Sequence, residues 1–174
     1  KVTIIPRPRR FGKTLNMSML QYFFEKHPNQ SDNRHLFDGL AIKHYPEIME
    51  RQEQYPVIFI TFKGVKYNKW DDCYDKIQSL IALEYMRHEY VLQDNALNEH
   101  DKIYIKKIID KKGSSSDVAD ALFMLSKILY AIHNQKVIIL IDEYDAPMQS
   151  GFEFKYYEEI KNFMYSFFCA GLKD

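Results

Sequence analysis

Several features are missing from this sequence, and each absence removes a class of protein. Cysteine occurs only twice, as Cys73 and Cys169, far apart and without a CxxC spacing. That rules out a disulfide framework and fits a reducing compartment. Net charge is absent too: 24 Lys and Arg balance 24 Asp and Glu, so the chain as a whole exerts no strong pull on nucleic acid or an anionic membrane. No apolar run approaches the roughly 18 residues of a membrane span, and no charged-then-apolar leader opens the chain. The histidines His27, His35, His44, His88, His100 and His133 share no metal-ligand spacing with one another or with the cysteines, and they read as surface residues. Internal repeats, low-complexity tracts and linkers are lacking. What is left is 174 residues with 46% hydrophobic and 15% aromatic content, enough for one globular core spanning 1–174. A cytoplasmic location is expected. The chain opens on Lys1 and runs straight into apolar residues, so a piece of a longer protein is expected.

Hydrophobic periodicity supplies the elements. "VTIIP" reads as a buried strand stopped by Pro6, and the step pattern of Leu15, Met19, Leu20, Phe23 and Phe24 predicts a helix from Thr14 to about His27 with those residues on its apolar face. A polar connector follows, with a turn at Asp38-Gly39 and a short helix around 46–52. "PVIFITF" (56–62) predicts a second strand buried on both faces of a parallel sheet. Helices are predicted over about 70–92, 99–111 and 118–133, with capping candidates at Ser114 to Asp117. "KVIILID" (136–142) is the third strand; after a turn "EYDAPMQSG", a last helix spans 154–172 with Ile160, Phe163, Met164, Phe167 and Phe168 inward. Strands alternate with helices, so the expected fold class is α/β, a parallel sheet flanked by helices.

Two strand ends carry chemistry. In "RPRRFGKT" the spacing G-x-x-x-x-G-K-[ST] falls on Gly12, Lys13 and Thr14, with Arg7 where the first glycine of a Walker A loop belongs. Gly12 permits backbone conformations closed to other residues, Lys13 suits β- and γ-phosphates, and the Thr14 hydroxyl suits a magnesium ion. A basic loop before an ordinary helix is the plain alternative. The second end is "VIILIDEYD", a Walker B-type pattern: Asp142 to hold the metal and Glu143 to orient and deprotonate water. An acidic surface turn is its plain alternative, but the two patterns come in the order a nucleotide hydrolase requires. Arg9 and Arg10 are candidates for phosphate contact or loop anchoring, and Phe11 and Leu15 flank the loop as further nucleotide-binding candidates. Asp145 is either a partner of the metal site or a helix cap.

"RPRRFGKTLNMSML" with "YFFE", then "LFDGLAI", "YPVIFITF" and "VIILIDEYDAPM", resemble the AAA-ATPase-like domain family, found mainly in bacterial proteins. The resemblance covers nearly the whole chain. It implies a P-loop NTPase fold, an ATP- and magnesium-dependent hydrolase with Glu143 and Lys13 catalytic, and arginine at the Arg7 position as a feature of the family. It also implies a restriction-endonuclease-like nuclease domain following in many parent proteins. In this class a fourth core strand lies between the strand before the loop and the strand bearing Asp142; the chain is expected to be truncated before it, with hydrolysis expected of the longer protein.

Three other functions stay open at this point: a nucleotide-dependent switch without turnover, a small-molecule phosphotransferase, and a nucleic-acid-associated module using the basic start of the chain; the "KIYIKKIIDKK" block is basic on one face. A solvated helix is the plainer reading of that block. The aromatic-rich "YYEEIKNFMYSFF" reads as packing, and Trp70 as either a gap filler or a partner anchor.

Overall fold

The computed structural model describes residues 2–5, 11–26 and 32–172. In chain order these form α1 (Lys13–Phe24), a short α2 (Pro46–Met49), β1 (Val57–Thr61), α3 (Trp70–Arg87), α4 (Glu99–Ile109), α5 (Ser115–Ala119), α6 (Ala121–His133), β2 (Ile138–Asp142), α7 (Ala146–Phe154) and α8 (Tyr157–Leu172). Short 3-10 turns at 34–37, 41–44 and 89–93 fill the connections.

β1 and β2 pair in parallel, Val57 opposite Ile138 through Thr61 opposite Asp142. The ladder runs on past both ends: Ile138 N–H donates to Pro56 O at 3.0 Å, and Phe62 N–H to Asp142 O at 2.9 Å. Parallel neighbours need a crossover, which α3 to α6 provide. Side chains alternate across a strand, so Ile58 and Ile60 share a face with their partners Ile139 and Ile141. That face meets α3, α6 and α8 in one cluster with Ile77, Ile81, Leu125, Leu129, Ile160 and Phe167. Thr61 and Asp142 belong to the opposite face, and α1 packs across both strands.

Helix ends follow local chemistry. Ser114 accepts from Asp117 N–H at 3.2 Å while the Asp117 carboxylate accepts from Ser114 N–H at 2.7 Å, the reciprocal capping box that starts α5. Lys107 adds a 2.6 Å ion pair, and its bond, with those from Ser114, holds Asp117 down at about 2. α6 ends on Asn134 in the left-handed region, which asparagine tolerates.

The expected "VTIIP" strand is not formed at residues 2–5, whose side chains are exposed; Pro6 lies outside the described residues. β-propensity alone makes no ladder, because each backbone N–H and C=O needs a neighbouring strand, and none of the described residues pairs with 2–5. The predicted apolar face of α1 is likewise corrected: Phe23 is buried and Phe24 half-buried, whereas Leu15, Met19 and Leu20 are exposed. The predicted 118–133 helix is two helices meeting at Asp120, and the predicted turn after Glu143 is mostly α7. Pro147 in the first turn of α7 needs no N–H there, and Gly151 permits the α7–α8 approach: a Cβ on it would stand 2.5 Å from Ile160 Cγ2. The inward side of α8 is as expected, with Ile160, Phe163, Met164 and Phe167 buried and Phe168 half-buried.

Candidate functional site

Gly12 precedes α1 with φ 68° and ψ 22°. This is the left-handed region that costs a side-chain-bearing residue about 1–2 kcal/mol, and the space around it is open, the nearest atom to an added Cβ being Asn16 Nδ2 at 4.0 Å. Backbone conformation, not crowding, calls for glycine there. The Gly12 carbonyl accepts from Asn16 N–H at 2.9 Å and so begins the helix. The first turn of α1 carries no acidic residue, and Gly12 offers no side-chain cap, so its leading N–H groups and the positive end of the helix dipole face the loop side. Lys13 is half-buried in that turn, between exposed Phe11 and exposed Leu15.

Next to Lys13, Thr14 Oγ1 donates to Asp142 Oδ2 at 2.8 Å, across 128 positions of sequence. Asp142 is the last residue of β2, only 5% exposed. Its side chain is aimed by the strand pleat and its carbonyl is fixed by Phe62 N–H, so the carboxylate has little freedom. Glu143 follows with φ 51°. Left-handed backbone at a residue other than Gly, Asn or Asp is uncommon and gathers at functional sites; here it turns the chain off the strand so that Glu143 O accepts from Ala146 N–H at 3.0 Å and α7 begins. Asp145 stands at the head of α7 and accepts from Gln149 Nε2 at 2.7 Å, a bond within its own helix. Arg9 and Arg10, with Arg7, lie outside the described residues.

Two parts of this end of the sheet were not anticipated. Thr61 pairs with Asp142. The loop after β1 is tied to α7, with Tyr67 N–H donating to Ser150 Oγ at 3.1 Å and both Ser150 Oγ and Tyr156 Oη donating to Tyr67 O at 2.9 and 2.7 Å. Those bonds join residues distant in sequence, and no local pattern announces them.

The donor set fits a hard divalent ion. Neighbouring ligands of an octahedral magnesium ion at about 2.0–2.1 Å stand about 2.9 Å from each other, close to the Thr14–Asp142 separation of 2.8 Å. Among the described residues no group of three or more His, Cys, Asp or Glu could hold a metal. An ion here would therefore have to keep water or substrate oxygens as ligands, the habit of magnesium.

Other candidates resolve into structure. Four lysines of the 102–112 block are engaged by carboxylates, Lys102 by Glu99, Lys107 by Asp117, Lys111 by Asp75 and Lys112 by Asp110, so most of the block's positive charge is paired within the fold. Trp70 packs against Tyr74, Tyr156 and Phe163. The reading of the histidines as surface residues is corrected for two: His88 is 1% exposed, and His133 is half-buried with its ring 2.8 Å from Tyr90 Oη. Both sit on faces where an apolar ring body packs and a polar atom finds a partner. Cys73 is fully buried and burial pushes its thiol up, with only partial relief from a bond to Tyr156; such a thiol is inert. Among the described residues no helix is long and apolar enough to cross a membrane.

Neither the curated proteins nor the solved structures include a match to this chain. The family model described as "Predicted AAA-ATPase" matches residues 1–174, and the chain therefore belongs to the predicted AAA-ATPase family.

Proposed function

We propose that the chain binds ATP with magnesium at the junction of α1 and β2, and that in the longer protein this site hydrolyses ATP and couples turnover to a change of conformation. The observation that carries the reading is the Thr14–Asp142 hydrogen bond. It brings together two oxygen donors from segments that the sequence names separately as phosphate loop and acidic strand end.

Each side chain has a physical task. Gly12 and the first N–H groups of α1 face phosphate oxygens, where the helix dipole favours negative charge. Lys13 places a cation there, against charge that grows as the terminal phosphoryl group departs. Thr14 and Asp142 would hold the metal ion, which when bound supplies charge neutralisation at the phosphate oxygens. Glu143 accepts a proton from the attacking water and orients it, on a backbone already turned away from the strand. Phe11 and Leu15, exposed on either side, suit apolar contact with the nucleotide; Arg9 and Arg10 are proposed to add contacts from the loop.

Calorimetry of ATP binding to the longer protein, with and without magnesium, tests the reading. Binding that strengthens with magnesium in the natural protein and loses that gain in Asp142→Asn is expected; binding indifferent to both overturns it. Glu143→Gln should keep ATP bound and abolish phosphate release, whereas a switch without turnover shows no phosphate release in either protein.

A further inference from the structure

The glutamate of "YFFE" has no part in the chemistry above, yet its environment is unusual. Glu25 caps the C-terminal end of α1 and is 3% exposed. Its carboxylate accepts from Arg87 Nη1 and from Gln21 Nε2. Arg87, on α3, also grips Glu84 through Nε at 3.0 Å and Nη2 at 2.6 Å, and donates from Nη2 to the carbonyl of Val57, the first residue of β1, at 2.5 Å. Glu84 in turn accepts from Phe59 N–H at 2.9 Å, and His88 Nε2 lies 3.1 Å from Val57 O. Burial alone would lower Arg87 and raise Glu84; their mutual bonds and those of the neighbouring His88 and Glu25 reverse both directions.

Taking a carboxylate out of water costs several kcal/mol, on the order of what its ion pair returns, so stability alone is a weak reason for such a cluster. Geometry is a better one. At this end α1 is bonded to the chain entering β1: Tyr55 N–H donates to Phe24 O at 2.9 Å, Lys26 N–H to Tyr55 O at 2.8 Å, and Glu53 N–H to Phe23 O at 2.8 Å. At the other end, Thr14 of α1 meets Asp142, the partner of Thr61 at the far end of β1. Between these ends α1 is a rod of 12 residues, about 18 Å long at 1.5 Å per residue. A rod fixed at one end transmits a small tilt there to its tip.

We propose that the Glu25–Arg87 pair is a positioning device for the nucleotide site, setting the register of α1 along β1 so that Thr14 stands opposite Asp142. The inference rests on the reading of Thr14 and Asp142 as the metal-holding pair. Glu25 and Arg87 touch no substrate; they act through α1.

The test uses the longer protein and measures ATP affinity with magnesium and with chelator. Glu25→Gln keeps the shape and leaves Arg87 paired with Glu84; the magnesium-dependent gain in affinity should fall about 5- to 10-fold, with the magnesium-free affinity held within about twofold. Glu25→Asp keeps the charge but withdraws it by one methylene; it should show the same selective loss, and it serves if the glutamine variant does not fold. In a Thr14→Val background, Glu25→Gln should take nothing further from the magnesium gain. Equal losses with and without magnesium, or variants that match the natural protein, overturn the inference while the site reading stands. A natural protein whose ATP binding ignores magnesium overturns both.

Discussion

Glu143 is held at φ 51°, which makes a sharp prediction about stability. For an L-residue the left-handed region costs about 1–2 kcal/mol, and glycine escapes that penalty. Against this, glycine gains freedom in the unfolded chain, worth about 0.5–1 kcal/mol. Glu143→Gly and Glu143→Ala remove the same carboxylate and differ only in backbone. The glycine variant should be the more stable of the two by about 0.5–1 kcal/mol, which for a chain of this size is about 1–4 °C in Tm. At an exposed position with ordinary dihedrals the order reverses, alanine leading by up to about 1 kcal/mol. Urea or thermal unfolding of the pair, with the same exchange at exposed Glu159 on α8 as a control, reads the sign directly. Under the proposed function both variants should also lose ATP hydrolysis, and the strain at this position would then be kept for the sake of the carboxylate. A glycine variant less stable than its alanine counterpart refutes the strain, and with it the backbone argument for Glu143.

Other outcomes follow from the same structure. Thr14→Val removes the donor to a carboxylate that is nearly buried and should cost about 1–3 kcal/mol of stability; Thr14→Ser, which keeps the hydroxyl, should be close to neutral by chemical denaturation. Asp117 is held at about 2 against an ordinary 3.8. A carboxylate lowered on folding stabilises above its unfolded value and loses that contribution as pH falls through the folded one; the α5 capping box should therefore hold above about pH 4 and fail toward pH 2. Asp117→Asn should flatten the acid limb of the stability profile there. Gly151→Ala gains helix propensity of about 1 kcal/mol, but its Cβ would meet Ile160 Cγ2 at 2.5 Å, and overpacking costs about 1–3 kcal/mol; a lower Tm is expected, and a higher one refutes the close approach.

Periodicity and composition were enough for much of the molecule. The runs 56–62 and 136–142 are apolar, β-branched and short, so strands follow from local preference, and both form. The three-and-four spacing in 157–172 places Ile160, Phe163 and Phe167 on one stripe, which is the stripe α8 buries. Gly12, Lys13 and Thr14 at the start of a helix, and Asp142 and Glu143 at the end of a strand, stand out as candidates because phosphate and metal chemistry uses those residue types at those element ends.

Pairing was legible only in part. A strand-like run such as Val2 to Ile5 carries the preference but finds no ladder partner among the described residues, and residue preference cannot show that. Nothing in the local sequence marks Glu25 and Arg87 as a pair. Their contact spans 62 positions and exists because α1, β1 and α3 converge there, burying charge that sequence alone assigns to water. The turn expected after Glu143 is mostly α7, in which Gly151 lies close against Ile160 of α8, whereas locally glycine reads as a breaker. The amino-acid sequence by itself determined which residues are candidates for a phosphate and a metal, since candidacy is set by side-chain chemistry and the ends of local elements. Only the tertiary structure decided that Thr14 and Asp142 meet, because a hydrogen bond across 128 positions depends on the parallel pairing of β1 with β2 and on where α1 lies across them.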